Sequence, residues 1–156
     1  MDTWTNPPII KLYEALGAIG DNRVRILDDH AEVDSSSRNK TYTVTYDLNR
    51  NAIRSNDNGS YWKEYLGYPA IAVLMLLEKV VYDSTFTEAL ANIPWKDINT
   101  QYKNDYDKVI AHVHDLCRES GTDVDALQLH IQEIANYLQS HPFHKLGKRT
   151  PPPHGY

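Results

Sequence analysis

Residues 70–77, AIAVLMLL, form the most apolar stretch of the chain and decide its fold. A helix built from them has no polar face, so it belongs inside a domain. Pro69, directly before the stretch, suits the first turn of a helix, where its missing N–H removes no hydrogen bond. Eight residues are far fewer than the roughly 20 that cross a bilayer. The stretch therefore predicts a buried central helix and no membrane span.

Upstream of this helix, the spacing of the apolar residues changes along the chain. Residues 9–19 repeat them at helical spacing, which predicts an N-terminal helix. Residues 41–46, TYTVTY, alternate threonine with tyrosine or valine, as is typical of a half-buried strand. Shorter alternating segments occur at 23–26, 31–33 and 52–55. We therefore predict an antiparallel meander of three or four strands after the first helix.

Downstream of the central helix, helical patterns dominate. We expect a short helix around 86–91, a long one from 94 to 120 and a last one from 122 to 141. Residues 143–156 show no periodic pattern, and the triple proline at 151–153 favours extended backbone. The sequence thus predicts an α+β protein with one domain over residues 1–141, its C-terminal helices packed around the central helix. Residues 142–156 are predicted to form an extended or disordered, basic, proline-containing tail.

Charge is unevenly distributed over the 156 residues. The net charge is −5, yet residues 141–156 carry three basic side chains and no acidic one, which leaves 13 basic and 21 acidic residues in the rest. The acidic charge of residues 1–140 argues against nucleic-acid binding, because it repels the phosphate backbone. The basic end of the chain, with Lys145, Lys148 and Arg149, suits docking on an anionic partner instead.

Cysteine content and the N-terminal sequence indicate the compartment. One cysteine, Cys117, forms no internal disulfide and no multi-cysteine metal site. Residues 1–6 are polar apart from Trp4, and no long apolar run follows them, so no signal peptide is predicted. We therefore expect a soluble, cytoplasmic protein.

Motifs for several common chemistries are missing or incomplete. The sequence contains no GxGxxG, GxxxxGK[ST], GxSxG or HExxH. Asp47, Asn49 and Asn51 match the first three ligand positions of an EF-hand loop. Ala52 and Asn58 stand where that loop needs glycine and glutamate, so a polar turn explains these residues better. The sequence predicts no cofactor, no metal ligands and no defined catalytic residues.

One cysteine–histidine pair suggests an enzymatic alternative. His114 and Cys117 lie three residues apart on a predicted helix and share a face, as a nucleophile and its base would. A cysteine beside Leu116 on an apolar stripe is more typical of a small core residue. The alternative function is a small hydrolase-like enzyme that uses His114 or carboxylates in a cleft that spacing alone does not reveal.

A polar turn next to an aromatic-rich stretch is the candidate binding site. Tyrosine and tryptophan have an apolar body and a polar tip, so they suit core edges as well as binding surfaces, and core packing is the alternative. We predict that this region forms the surface of a non-enzymatic protein-interaction module. Its residues are Asn56, Asp57, Asn58, Tyr61, Trp62 and Tyr65.

Residues 41–77, TYTVTYDLNRNAIRSNDNGSYWKEYLGYPAIAVLMLL, resemble a SWIM-type zinc finger. That family has a β-hairpin carrying CxC, an insert, and then CxH at the start of an apolar helix. Ile53 and Ser55 stand where the first two cysteines would be, and Ala70 and Ala72 replace the third cysteine and the histidine. The proline before them matches the family pattern. The resemblance implies a ββα unit in which apolar packing replaces zinc, and SWIM domains bind DNA or protein. The acidic body favours a protein partner.

Overall fold

The computed structural model describes residues 1–154, which contain six α-helices and a five-stranded sheet. The elements are α1 (Ile10–Gly20), β1 (Val24–Ile26), β2 (Ala31–Asp34), β3 (Thr41–Asp47), β4 (Ala52–Ser55), α2 (Tyr68–Leu76), α3 (Ser84–Ala89), α4 (Trp95–Gln101), α5 (Tyr106–Glu119), α6 (Val124–Ser140) and β5 (His144–Lys145). A 3-10 turn at Leu48–Arg50 joins β3 to β4, and a π-helical turn at Gly59–Lys63 precedes α2. The predicted α+β class is confirmed.

Strands β1 to β4 form an antiparallel meander, and their order in the sheet follows their order in the chain. Tyr42 on β3 pairs with Val33 on β2, and Val44 pairs with Ser55 on β4. Tyr42 and Val44 are buried while their threonine neighbours Thr41 and Thr43 are exposed, as the alternation predicts. The meander therefore has four strands, the upper end of the predicted range.

Helix α2 is the central core helix that its sequence predicts. Every residue from 70 to 75 is at most 1% exposed. Its main neighbours are α1 on one side and strands β1, β3 and β4 on the other. Helices α3 and α6 pack against α1, so α1 lies between the central helix and much of the C-terminal helical layer. No helix within residues 1–154 is both long and apolar enough to span a bilayer.

The single long helix predicted from 94 to 120 is wrong, because α4 and α5 are separate helices. Lys103 and Asn104, between them, have left-handed backbone with φ of 53° and 61°. Asp105 then starts α5, and its side chain accepts a hydrogen bond from the Lys108 N–H at 3.4 Å. A left-handed pair followed by an aspartate cap ends one helix and begins another.

The first residues of the predicted tail belong to the fold. Phe143 is 4% exposed and lies in the core. Its carbonyl accepts a hydrogen bond from the Trp4 N–H at 3.0 Å, and β5 then pairs in parallel with β4. The segment predicted as extended or disordered therefore contributes a fifth strand before it reaches the prolines. Its last two residues, 155 and 156, lie outside the described residues.

The burial of Phe143 generates a prediction about stability. Phe143→Ala removes a ring that is buried in the core, so it should lower the free energy of unfolding by about 3 kcal/mol. Urea denaturation followed by circular dichroism measures this loss. Leu129→Ala is the control, because Leu129 is 68% exposed on α6. Equal stabilities of the two variants would contradict the packing of the tail into the core.

Candidate functional site

A polar cavity of about 410 Å³ lies where α1, the start of β1, the π-helical turn and α4 meet. We call it the Arg23 cavity, and its principal lining residues are Lys11, Glu14, Arg23, Asp57, Trp95 and Asn99. These residues come from distant parts of the sequence and from four different segments of the fold. Their charged and polar groups converge on one space, which is typical of a small-molecule site.

Arg23 is the central cation of this cavity. It follows the turn after α1, and its side chain is only 1% exposed. Its Nε donates to the Asp21 carboxylate at 3.2 Å, and its Nη1 donates to the Asp34 carbonyl at 2.8 Å. The guanidinium carbon lies 5.9 Å from the centre of the Tyr68 ring, and the other amino group, Nη2, has no hydrogen-bond partner of good geometry within residues 1–154. A buried, incompletely satisfied guanidinium is costly, so the site favours an additional anionic acceptor.

Trp95 and Asn99 face the cavity from successive turns of α4. Trp95 is 2% exposed and its indole Nε1 has no hydrogen-bond partner, and the same holds for Oδ1 of Asn99. Four buried polar side-chain atoms of residues 1–154 are unpartnered, and three of them belong to residues that line this cavity. Unpartnered buried polar groups are uncommon in proteins, so their concentration in residues around one cavity marks it as a candidate site.

Glycine in α1 makes room for the indole of Trp95. A Cβ at Gly17 would lie 2.8 Å from the indole Nε1 and 3.1 Å from the Leu90 carbonyl. Real Cβ atoms do not approach so closely, and a glycine inside a helix lowers its stability. The close approach of the ring to the α1 backbone explains why glycine occupies this position.

Glu14 and Lys11 form an ion pair one turn apart on α1. The Lys11 Nζ lies 3.3 Å from Oε1 of Glu14, and the Glu14 side chain is 7% exposed. Burial raises the pKa of Glu14, and the nearby cations of Lys11 and Arg23 oppose only part of that shift. Burial also acts to lower the pKa of Lys11, but Glu14 together with Tyr65 and Tyr106 outweighs it and leaves that pKa raised. Glu14 is thus a buried group with a raised pKa inside the cavity, which makes it a candidate functional residue.

Asp57 forms one wall of the cavity and organises the π-helical turn. Its carboxylate accepts hydrogen bonds from the Ser55 hydroxyl at 2.6 Å and from the Ser60 hydroxyl at 2.7 Å. It also accepts from the Ser60 backbone N–H at 3.2 Å. A Cβ at Gly67 would overlap this carboxylate, so the glycine lets the chain pass beside it. Asp57 is 6% exposed and chiefly structural.

The residues predicted as one binding surface are distributed over different environments. Asp57 and Asn58 line the Arg23 cavity, whereas Tyr61 lines a second groove on the other side of the π-helical turn. Asn56 is half-buried, and its Oδ1 accepts from the Thr43 N–H at 2.8 Å.

The two remaining aromatic residues of the predicted surface differ in exposure. Tyr65 is half-buried, with its ring against the backbone of Gly59. Trp62 is 67% exposed and meets Tyr61 edge-on, with ring centroids 4.7 Å apart. Of the predicted rings, Trp62 is thus the one with most of its surface in solvent.

His114 and Cys117 do not line either cavity. Both are buried, and the Tyr13 hydroxyl lies 2.7 Å from Nε2 of His114. Burial lowers the pKa of His114, with help from the Arg118 cation, and burial raises the pKa of Cys117. A neutral imidazole and a protonated thiol suit a core position, and they do not suit an activated nucleophile.

The residues that resemble an EF-hand loop form a strand connection. Asp47 lies 2.8 Å from the Arg50 guanidinium, and Asn51 turns the chain with a left-handed φ of 54°. Within the part of the chain that the structure describes, no three His, Cys, Asp or Glu side chains are arranged to hold a metal ion.

Sequence reasoning missed Arg23, Trp95 and Asn99. No spacing along the chain connects them with Glu14, because tertiary packing alone brings them together. The one usable signal is Gly17, since a glycine inside an otherwise regular helix often marks a close approach. The signal does not say which residue approaches.

The chain belongs to a family described as uncharacterised conserved protein UCP014422, whose match covers residues 4–144. That range contains every principal residue of the Arg23 cavity. No curated protein and no solved structure matches the chain. The family match gives no support to the SWIM-type resemblance. The structure has the hairpin β3–β4 followed by α2, with Ala70 and Ala72 buried in the core.

The raised pKa of Glu14 predicts a pH dependence of stability. The folded protein holds this proton at pH values where the unfolded chain, with a glutamate pKa of about 4.3, has released it. Stability contributed by Glu14 should therefore fall as pH rises from about 4.3 through its raised pKa, by at most about 1.4 kcal/mol per pH unit.

Urea denaturation of the wild type and of Glu14→Gln across that pH range isolates this effect. The difference in unfolding free energy, wild type minus variant, should decrease with rising pH, because the amide does not titrate. If the unfolding free energies of the two proteins changed with pH in parallel, Glu14 would not have the raised pKa that the prediction requires.

Proposed function

We propose that this chain binds a small molecule through an anionic group, a carboxylate or a phosphate, in the Arg23 cavity. The observation that carries the proposal is the buried Arg23 guanidinium, whose Nη2 is unpartnered while Asp21 and the Asp34 carbonyl hold the rest of the group in place. An arginine fixed in this way presents its free amino group in a defined direction, which favours recognition of a planar or tetrahedral anion.

Size and charge of the cavity support the same proposal. Its volume of about 410 Å³ lies within the range of roughly 300–1,000 Å³ that small-molecule sites occupy. Four basic side chains and two acidic ones line it, although the whole chain has a net charge of −5. A positive site in a negative protein concentrates small anions.

The unpartnered atoms indicate further features of the ligand. Besides Arg23, the indole N–H of Trp95 and Oδ1 of Asn99 have no hydrogen-bond partner within residues 1–154. A ligand with an anionic group and a neighbouring hydroxyl, amine or amide N–H would satisfy all three. Each satisfied group removes a desolvation penalty of about 1–3 kcal/mol.

The features of the Arg23 cavity fit a binding site better than the active site of a hydrolase. A hydrolase-like enzyme needs a nucleophile or an activated water beside a base, and of the two cavity carboxylates Asp57 is already engaged by Ser55 and Ser60, which leaves Glu14. His114 and Cys117, the pair suggested by the sequence, are buried elsewhere in the helical layer. An enzymatic role at this site would therefore begin with Glu14.

Isothermal titration calorimetry tests the proposal with two groups of small ligands. The carboxylates are acetate, lactate and glutamate, and the phosphates are inorganic phosphate and glycerol phosphate. At least one should bind saturably, and Arg23→Lys should weaken it about tenfold or more, because the shorter amine does not reproduce the guanidinium geometry. Arg118→Lys is the matched control, since Arg118 is 60% exposed on α5 and pairs with Asp115.

Asn99→Asp provides a second variant that leaves Arg23 and its contacts intact. A new negative charge in the cavity should weaken the same ligand, and circular dichroism checks that both variants stay folded. Absence of binding by all ligands, or equal affinity of the Arg23→Lys and wild-type proteins, would contradict the proposal.

Protein interaction through Trp62 is the second candidate function. Large exposed aromatic side chains are enriched in the centres of interfaces, and Trp62 is 67% exposed beside Tyr61. Asp57 and Tyr65 are also predicted for this surface, but both pack within the region of the π-helical turn. Asp57 accepts a hydrogen bond from Ser60, and the Tyr65 ring lies against Gly59. The candidate surface is therefore narrower than the sequence suggests.

Comparison of two aromatic substitutions tests this second candidate. Trp62→Ala should change the unfolding free energy by less than about 0.5 kcal/mol, whereas Tyr65→Ala should cost more than about 1 kcal/mol because its ring is half-buried. A protein that copurifies with the wild type should be lost from Trp62→Ala. A large stability loss in Trp62→Ala would instead place that ring in the core.

A further inference from the structure

A second groove, of about 430 Å³, lies between the π-helical turn and the C-terminal segment 145–149. We call it the tail groove, and the residues that define it are Asp2, Arg54, Tyr61, Glu64, Lys148 and Arg149. None of these residues lines the Arg23 cavity. Any function of the tail groove is therefore separate from that of the first site.

The C-terminal segment is held in place along this groove by hydrogen bonds to its backbone. Nη1 of Arg54 donates to the carbonyls of Leu146 at 3.3 Å and Lys148 at 3.2 Å. Gly147 between them has a φ of +66°, and a Cβ at this position would lie 3.1 Å from the same Nη1. The tight turn around Arg54 thus suits glycine and gives the segment a defined path.

Arg149 closes the other side of the groove. Its Nη1 donates to the Tyr61 carbonyl at 2.9 Å, and its guanidinium lies 5.2 Å from the centre of the Tyr61 ring. A guanidinium has five N–H donors, and the described contacts of Arg149 use one of them. Arg149 is exposed and lines the groove, so its side chain is accessible there.

The groove has more positive charge than its own acidic residues neutralise. Lys145 pairs with Glu64 at 3.1 Å. Within residues 1–154, no carboxylate lies within ion-pair distance of Arg54, Lys148 or Arg149. Lys145 and, to a lesser extent, Arg149 lower the pKa of Glu64, so this one carboxylate faces two cations, while Arg54 and Lys148 have no carboxylate within ion-pair distance among the described residues.

We propose that the tail groove binds an acidic segment of a partner protein, with aspartate or glutamate carboxylates at Arg54, Lys148 and Arg149. Carboxylates form strong charge-assisted hydrogen bonds with arginine, and the fixed guanidiniums lose little freedom on binding. A peptide fits better than a nucleic acid, because Asp2 and Glu64 line the groove and the surrounding chain is acidic. Side chains of a peptide can place their charges between these carboxylates, whereas a phosphate backbone carries charge at every nucleotide.

Fluorescence anisotropy with labelled synthetic probes tests this proposal on the full chain. The probe is a peptide of about 12 residues that alternates glutamate and glycine, compared with a lysine–glycine peptide and a single-stranded oligonucleotide of similar length. The acidic peptide should bind at an ionic strength of about 0.01 M and weaken strongly near 0.3 M, because salt screens exposed charges. Lys148→Glu should weaken it about tenfold or more, since it reverses a charge in the groove.

Lys79→Glu is the matched control, because Lys79 is exposed and lies outside the groove. Arg23→Lys should leave peptide binding unchanged, which separates this proposal from the ligand site of the Arg23 cavity. No binding of the acidic peptide at low salt, or equal weakening by Lys79→Glu, would overturn the proposal. Tighter binding of the oligonucleotide than of the peptide would also overturn it and identify a nucleic-acid site.

Discussion

The enclosure of α2 between α1 and the sheet is the constraint on which the rest of the structure depends. Because this helix has no polar face, both sides must be covered, and α1 and the meander are the elements that cover them. The connection from α1 to β1 then joins two elements that both contact α2. Arg23 lies in that connection, so the requirement to bury an apolar helix also fixes where the central cation of the cavity stands.

Buried charge at the Arg23 cavity is difficult to explain by stability alone. Buried ion pairs such as Lys11 with Glu14 contribute little net stability, because desolvation offsets their attraction. An apolar residue in place of Arg23 would remove the buried charge and its unpartnered Nη2. The cost of keeping these groups is consistent with a site that binds, since perturbed and incompletely satisfied groups cluster where proteins recognise ligands.

Local periodicity was sufficient to predict α2, β3 and the α+β class, because each is decided by residues adjacent in sequence. The break between α4 and α5 was not predictable in the same way, since Lys103 and Asn104 adopt left-handed backbone without a glycine to signal it. Strand β5 has only two residues, and its pairing depends on the burial of Phe143. The candidate site was least predictable, because packing between distant segments assembles it. A sequence pattern records neighbours along the chain and contains little about such contacts.

The sequence suggests that residues 56–65 form a single recognition surface. The π-helical turn Gly59–Lys63 instead divides these residues between two cavities. Asp57 and Asn58, just before the turn, line the Arg23 cavity, while Ser60 and Tyr61 line the tail groove. The turn is therefore a wall between two sites. Asp57 holds it rigid through both hydroxyl and backbone hydrogen bonds, and Gly67 allows α2 to begin directly beside that carboxylate. π-Helical turns occur frequently at functional sites, and here the turn lies between the Arg23 cavity and the tail groove.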